Sequence, residues 1–163
     1  MIYRGILAVT ANPGLREFAL HHLDTEQRHL ALINDIVPPR QRSWLLPVWR
    51  LSGWLTGAVP SCFGPRAVYA TIQAVESFVD QHYADQVAAI DALLSGALGE
   101  AHGTRTASLR SLRALLEQCR LDEVTHRDDA GARWDGNGGW ILNGWMWVVG
   151  FGSKRAVAVC RYA

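Results

Sequence analysis

The fold is decided by two short stretches of sequence, Glu-Gln-Arg-His at residues 26–29 and Glu-Val-Thr-His at residues 123–126. Each has the spacing Glu-x-x-His. Residues three apart in an α-helix lie on the same face, about one turn from each other, so the carboxylate and the imidazole can bind the same ion. One such pair is common by chance, whereas two in one chain favour a site shared between two helices.

A further acidic residue, Glu76, lies midway along the chain between the two pairs. The helical pattern around Glu76 places this residue beside Val75, Val79 and Tyr83 on the expected core-facing side. A lone carboxylate there needs a partner. Ferritin-like di-iron bundles supply one Glu from each of two helices and Glu-x-x-His from each of the other two. Because three of these four contributions are present, we predict an all-α, ferritin-like helical bundle.

The predicted metal ligands are Glu26, His29, Glu76, Glu123 and His126. An oxygen-rich site with one imidazole per metal suits iron or manganese rather than structural zinc. The carboxylates can bridge two ions and leave positions open for dioxygen. The alternative is that these residues are ordinary surface or helix-pair groups, since Glu and His on amphipathic helices usually face water.

Two other polar side chains share these helical faces. His22 precedes Glu26 by four residues and His29 by seven, which predicts either a group that supports the ligands or an interior polar residue. Tyr83 lies two turns after Glu76, where its phenol could hydrogen-bond near the metals or serve as a core aromatic.

Helical signals begin at Asn12, which can cap a helix that starts at the following proline, and they end at Pro38. Segments 96–106 and 131–139 contain several glycines and are predicted to be loops. The helix that contains Pro47 is expected to be broken or kinked there. Further helices are predicted over residues 43–59, 67–94, 109–128 and 140–162.

Composition narrows the class of protein. The 163 residues, 49% of them hydrophobic, fit one domain spanning residues 1–163. Sixteen Lys and Arg against fifteen Asp and Glu give a formal charge of +1, so no nucleic-acid partner is expected. Three cysteines without Cys-x-x-Cys spacing predict neither a disulfide framework nor a thiolate metal site. No secretory leader and no membrane-spanning stretch is expected from the pattern.

The seven tryptophans fall in two windows, residues 44–54 and 134–147, and the expected membrane-contacting segments are about residues 43–60 and 138–162. Tryptophan favours the membrane interface, and basic side chains beside each window can meet anionic head groups. We therefore predict two interfacial membrane helices, with tryptophan as core filler the alternative. The tryptophans are Trp44, Trp49, Trp54, Trp134, Trp140, Trp145 and Trp147, and the basic residues are Arg42, Arg50, Lys154 and Arg155.

Several stretches together resemble one known family, and they run in family order across nearly the whole chain. They are Ile2-Tyr3 and residues 25–30, 46–49, 74–77, 81–83 and 122–128. The family is the demethoxyubiquinone hydroxylases of ubiquinone biosynthesis. The resemblance implies a di-iron monooxygenase that uses NADH and dioxygen to hydroxylate the quinone ring. It also implies the same five metal ligands, with His82 and Tyr83 as a catalytic pair beside the site.

The sequence departs from the family pattern at its start. The family supplies a first glutamate about two turns before the Ile-Tyr pair, which would lie upstream of Met1. Either the true start codon lies upstream, or the chain is a truncated member whose metal site is incomplete. Glu17 is the nearest carboxylate on the following helix, and it is no convincing substitute.

The resemblance also implies cofactors and partners. These are two iron ions, NADH, dioxygen, a polyprenyl quinone, membrane lipid, other ubiquinone-biosynthesis proteins and a second copy of the chain. We expect a peripheral membrane protein on the cytoplasmic face of a bacterial inner membrane. Since no Gly-x-Gly-x-x-Gly fingerprint is present, Lys154 and Arg155, with Arg161, are the candidates for binding the NADH phosphates.

Two other functional classes stay open. One is a metal-free or catalytically impaired scaffold or lipid-binding protein at the membrane, and the other is a ferritin-like iron-binding protein without quinone chemistry.

Small residues in and beside the tryptophan windows are expected to let helices approach closely or to leave a channel for the prenyl tail. They are Gly53, Gly57, Gly144 and Gly150.

Overall fold

A computed structural model describes residues 1–96 and 103–160. The described residues contain no strand, which confirms the all-α prediction and is consistent with a ferritin-like bundle. The helices are α1 Ile2–Val9, α2 Pro13–Ile36, α3 Leu46–Ser61, α4 Pro65–Gly96, α5 Gly103–Ala132 and α6 Gly139–Cys160, with a short 3-10 helix at Pro39–Gln41 between α2 and α3.

The N-terminus of α2 forms as its sequence predicts. The Asn12 side chain accepts a hydrogen bond of 3.0 Å from the backbone N–H of Leu15, and Pro13 occupies the first turn, where its missing N–H costs nothing. The helix ends just before Pro38, so both predicted boundaries are confirmed. This fixes the register of the helix that carries Glu26 and His29.

Two boundary predictions are wrong. Pro47 lies in the first turn of α3 and starts that helix rather than kinking it, because a proline there removes only an N–H that no helical carbonyl would accept. The helix α5 begins at Gly103 and reaches Ala132, so it includes parts of both predicted loops. The remainder of the first loop, residues 97–102, and the predicted end of the last helix, residues 161–163, lie outside the described residues.

Buried polar residues, among them Glu76 and Glu123, form a layer between two apolar clusters. Along α4, Glu76 lies between Ile72 of one cluster and Val87 of the other. Along α5, which packs against α4, Glu123 lies between the same two clusters. The first cluster contains Tyr3, Ile6, Leu15, Phe18, Ala19, Val68, Tyr69, Ile72 and Ala130, and the second contains Val87, Ile90 and Leu116.

The short helix α1 is held against α3 by two glycines. A Cβ at Gly5 would overlap the carbonyl oxygen of Trp54, and a Cβ at Gly57 would overlap the carbonyl oxygen of Ile2. The two backbones therefore touch, as predicted for Gly57. At Gly144 and Gly150 an added Cβ would meet no described atom within 4 Å, so these two glycines make no close helix contact, and the alternative of a channel for the prenyl tail stays a prediction.

The tryptophans divide between half-buried and exposed positions. Trp134 donates a hydrogen bond to Gln73, and Trp145 donates one of 2.8 Å to the Thr71 hydroxyl, so these two rings tie the C-terminal part of the chain to α4. In contrast, Trp44, Trp140 and Trp147 are 75%, 85% and 66% exposed. Among the described helices, none has the length and hydropathy needed to cross a bilayer.

Candidate metal centre

Three helices bring four predicted ligands into one cluster. Glu26 from α2, Glu76 from α4, and Glu123 and His126 from α5 place one ligand atom each within 4.8 Å of one another. Glu76, Glu123 and His126 are each only 3% exposed, whereas Glu26 is half-buried at the rim. Three carboxylates and an imidazole thus meet in the polar layer between the apolar clusters.

The fifth predicted ligand, His29, joins this cluster through Glu123. One carboxylate oxygen of Glu123, Oε1, lies 3.2 Å from Nδ1 of His29. The other, Oε2, lies 3.3 Å from Nδ1 of His126. Each oxygen of Glu123 therefore faces one imidazole, so this carboxylate could contact a cation beside each of them.

Two atoms of the cluster lack a hydrogen-bond partner although they are buried. They are Oε2 of Glu123 and Nδ1 of His126, which lie close to each other but not in hydrogen-bonding geometry. Unsatisfied buried polar atoms are costly and rare in folded proteins. A cation held by both atoms would satisfy them, and a set of carboxylate oxygens with imidazole nitrogen suits iron or manganese. The residues present therefore fit a metal centre.

The carboxyl groups and the imidazole of the cluster lie so close together that they shift one another's pKa values. Burial, together with the charges of Glu123 and Glu26, raises the pKa of Glu76 well above its usual range. Burial would lower the pKa of His126, but the neighbouring Glu123 and Glu26 raise it to about 9. Burial would raise the pKa of Glu123, but His126 and His29 lower it to about 2. In the metal-free protein, protons take the place of cations.

Sequence reasoning missed three residues that support the cluster. The Tyr3 hydroxyl donates a hydrogen bond of 3.1 Å to Glu76. Asp122 Oδ2 lies 2.9 Å from Nε2 of His29, and Asp129 Oδ2 lies 2.9 Å from Nε2 of His22. One signal could have revealed the aspartates, because their seven-residue spacing on α5 equals that of the two histidines on α2.

The predicted catalytic pair, His82 and Tyr83, lies about two turns after Glu76 on α4. His82 stacks on Phe78, and its Nε2 lies 2.9 Å from the side-chain nitrogen of Gln86. Tyr83 packs against the second apolar cluster. Burial raises the pKa of the Tyr83 phenol, and the nearby Cys119 and Glu123 add to this rise. The tyrosine thus lies within electrostatic reach of the metal cluster.

The residues predicted to bind NADH lie on a different surface. Lys154 and Arg155 are both exposed on α6. Lys154 lines a groove of about 350 Å³ together with Phe78 and Trp147. The guanidinium of Arg155 lies 4.9 Å from the centre of the Phe151 ring. The third predicted residue, Arg161, lies outside the described residues. Glu17, the carboxylate that is no convincing substitute for the family's first glutamate, is exposed on α2.

Two grooves lie near the helices that form the site. The first has a volume of about 570 Å³ and reaches Glu26 between α2 and α3, where its rim carries Arg4, Arg42 and Arg50. The second is mostly apolar, has a volume of about 500 Å³ and separates α3 from α6. Residues that line the second groove include Val59, Phe63, Ile141, Leu142 and Trp145.

Comparison with known proteins gives a family match over residues 1–160, with the family described as ubiquinone biosynthesis protein COQ7. A 3-demethoxyubiquinol 3-hydroxylase of Rhodospirillum rubrum is 33% identical over 130 residues, which are 78% of this chain and 54% of the relative. An NADPH-dependent 3-demethoxyubiquinone 3-hydroxylase of Dictyostelium discoideum is 38% identical over 92 residues, or 53% of this chain and 41% of the relative.

A mitochondrial relative from Caenorhabditis elegans has the same printed name as the Dictyostelium protein. It is 25% identical over 162 residues, which cover 98% of this chain and 80% of the relative. The chain spans about half the length of the Rhodospirillum and Dictyostelium relatives. No solved structure gives a significant match to the chain.

Proposed function

The chain belongs to the COQ7 family of ubiquinone biosynthesis proteins, as its sequence predicted, and from this premise we propose that it hydroxylates the quinone ring of demethoxyubiquinone. The proposed reaction is dioxygen-dependent and uses two iron ions. One observation carries the proposal, namely the buried cluster whose unpartnered Glu123 and His126 atoms call for a cation. The relatives from Rhodospirillum and Dictyostelium are named for this type of hydroxylation.

The five proposed ligands could hold two ions. His29 and His126 would each hold one ion, and Glu123, whose two oxygens face the two imidazoles, would contact both. Glu26 and Glu76 complete the set from α2 and α4. Bound iron supplies the activation of dioxygen, which carboxylates and imidazoles cannot perform by themselves.

The protein supplies positioning and a dry environment. The Tyr3 hydroxyl holds Glu76 in place through its hydrogen bond. Asp122 holds the ring of His29 by its outer nitrogen, so that the inner nitrogen faces the cluster. The apolar clusters on either side of the polar layer exclude water, which strengthens every electrostatic contact within it.

The groove that reaches Glu26 is the proposed entry for the quinone. It is open to the surface and mixes apolar side chains such as Leu30 and Leu46 with the arginines Arg4 and Arg50. Guanidinium groups donate hydrogen bonds to oxygen acceptors, which suits the carbonyl oxygens of a quinone ring. The apolar side chains suit the start of its prenyl tail.

For the electron donor we propose a reduced nicotinamide nucleotide, with NADH the form that the sequence predicted. The Dictyostelium and Caenorhabditis relatives are named as NADPH-dependent, so the two donors need a direct comparison. Lys154 and Arg155 stay the proposed phosphate contacts. Stopped-flow oxidation of NADH and of NADPH by the iron-loaded protein, compared with a Lys154→Ala/Arg155→Ala variant, tests both points. Unchanged kinetics in the variant would remove α6 from the donor site.

A ferritin-like iron protein would share the metal cluster, but one observation favours the hydroxylase. Trp44, Trp140 and Trp147 are largely exposed, which suits contact with lipid and hence a lipid-soluble substrate. A metal-free scaffold would instead bind lipid and no iron. Peripheral binding to a membrane thus belongs to the proposed function, and metal content separates it from the scaffold.

The reaction itself gives the test. The iron-loaded chain in detergent micelles is given a short-tailed demethoxyubiquinone, a reduced nicotinamide and ¹⁸O-labelled dioxygen, and the quinone is analysed by mass spectrometry. We expect a product that carries one labelled oxygen, which Glu123→Gln abolishes and Glu17→Gln, at an exposed position, does not. Iron uptake without labelled product would favour the ferritin-like function.

A further inference from the structure

A third histidine, His22, lies in the same buried layer as the proposed metal ligands. Only 1% of its surface is exposed. It precedes Glu26 by four residues and His29 by seven on α2, so all three side chains project from one face of the helix. Its ring centre lies 4.3 Å from that of His126 and 5.8 Å from that of Tyr3. His22 thus contacts one proposed ligand and the tyrosine that holds another.

His22 is held in the same way as the proposed ligand His29. Nε2 of His29 lies 2.9 Å from Asp122, and Nε2 of His22 lies 2.9 Å from Asp129. Both pairs join α2 to α5 with matching seven-residue spacings. Imidazoles that bind a metal through one nitrogen usually donate the N–H of the other nitrogen to a carboxylate.

The other ring nitrogen of His22 has no partner. A carboxylate accepts hydrogen bonds, so the contact with Asp129 places the proton of the neutral imidazole on Nε2 and leaves a lone pair on Nδ1. Nδ1 is buried and has no hydrogen-bond partner. The equivalent atom of His29 faces Glu123 at 3.2 Å. An unused lone pair in a dry interior beside His126 is costly unless something binds it.

We propose that His22 is a further ligand of the metal centre, which binds through Nδ1 the ion that His126 also binds. Asp129 is the positioning residue that fixes the His22 ring, and it keeps a second contact with Arg133 at 2.8 Å. Neither His22 nor His29 belongs to the four residues whose ligand atoms gather within 4.8 Å, so both rings would have to move inward to bind the metal. This inference rests on the proposed function, since it requires a metal at the cluster.

Cobalt(II) provides a probe that counts imidazole ligands directly. In proton NMR of the Co(II)-loaded chain, each ligating histidine gives one strongly shifted N–H resonance that disappears in D₂O. We expect three such resonances in the unmodified protein, from His22, His29 and His126. Replacement His22→Phe keeps an aromatic ring beside Phe18 and should leave two. The variant His21→Phe, at the neighbouring exposed position, should keep three.

The outcomes separate this inference from the proposed function. Two shifted resonances in the unmodified protein would overturn the ligand role of His22 and leave the metal centre intact. Failure to bind Co(II) at all would overturn both. If His22→Phe does not fold, as judged by circular dichroism, Asp129→Asn serves instead, because loss of its carboxylate should shift or broaden one of the three resonances. Three unchanged resonances in that variant would contradict the role of Asp129 and the assignment of the third signal to His22.

Discussion

Glu123 is the single residue on which most of the metal centre depends. It contacts both Glu-x-x-His imidazoles, and one of its oxygens has no hydrogen-bond partner. We expect Glu123→Gln to weaken Fe(II) or Co(II) binding at least about a hundred-fold, because even residues that only support metal ligands contribute roughly 10–100-fold. Competition with a chromophoric chelator measures the affinity. Glu117→Gln, on the same helix but paired with Arg120, is the matched control, and an equal loss in both variants would contradict the bridging role.

Metal binding should release protons from the cluster. The pKa of His126 is raised to about 9, so its imidazole carries a proton near neutral pH in the metal-free protein. The pKa of Glu76 is also raised, by burial and by the charges of Glu123 and Glu26. A metal needs its ligands deprotonated. Lowering the pH below about 9 therefore weakens metal binding, and at least about one proton should leave per chain on loading near pH 7.5. A pH indicator in weakly buffered solution measures this release, and an affinity independent of pH from 7 to 9 would contradict it.

The five proposed ligands could be predicted from sequence because helix periodicity fixes which residues share a face. His29 and His126 follow their glutamates by three residues, and this spacing survives any uncertainty in helix boundaries. The aspartates that hold His22 and His29 could not be predicted in the same way, since their contacts depend on the register of α2 against α5. The hydrogen bond from Tyr3 to Glu76 could not be predicted either, because it depends on where α1 docks.

At the scale of helices, the contact between α1 and α3 depends on Gly5 and Gly57. We expect Gly5→Ala or Gly57→Ala to lower the free energy of unfolding by about 2–3 kcal/mol, because the added methyl overlaps a backbone carbonyl that cannot move independently. Chemical denaturation measures the change. Gly144→Ala has open space around it and should be neutral or stabilising by up to about 1 kcal/mol. Equal effects of Gly5→Ala and Gly144→Ala would contradict the close approach.

Helix boundaries were predictable where a side chain acts locally. Asn12 and Pro38 mark the ends of α2 because capping and the missing proline N–H act on the neighbouring backbone. The effect of Pro47 on α3 could not be predicted from the residue type alone, because proline either starts or breaks a helix, depending on which turn it occupies. The glycines near the ends of α5 predict loops, but α5 packs against α4 and its helix extends to Ala132.

At the scale of the whole molecule, the exposed tryptophans Trp44, Trp140 and Trp147 form the proposed contact with lipid. A triple replacement by Ser should weaken binding to anionic lipid vesicles at least about ten-fold, since each ring removes a large apolar area from water on insertion. Co-sedimentation with vesicles measures the binding. The matched control is Leu20→Ser, which alters an exposed apolar residue of α2 outside both tryptophan windows. Unchanged binding of the triple variant would remove these residues from the membrane contact.

The sequence predicted the helical class, whereas the division of the tryptophans between half-buried and exposed positions required the structure. Composition places all seven in two windows but says nothing of burial. Trp134 and Trp145 are fixed by hydrogen bonds to Gln73 and Thr71, which depend on how the C-terminal part of the chain packs on α4. Only the exposed members of each window, Trp44, Trp140 and Trp147, are therefore proposed for the contact with lipid.

Iron content per chain after anaerobic Fe(II) loading in detergent tests the central claim most directly. The buried cluster of Glu26, Glu76, Glu123 and His126, with His29 alongside, predicts two iron ions per chain and their loss in Glu123→Gln. A chain that folds and binds detergent or lipid but takes up no iron would contradict the hydroxylase function and would leave a metal-free scaffold at the membrane.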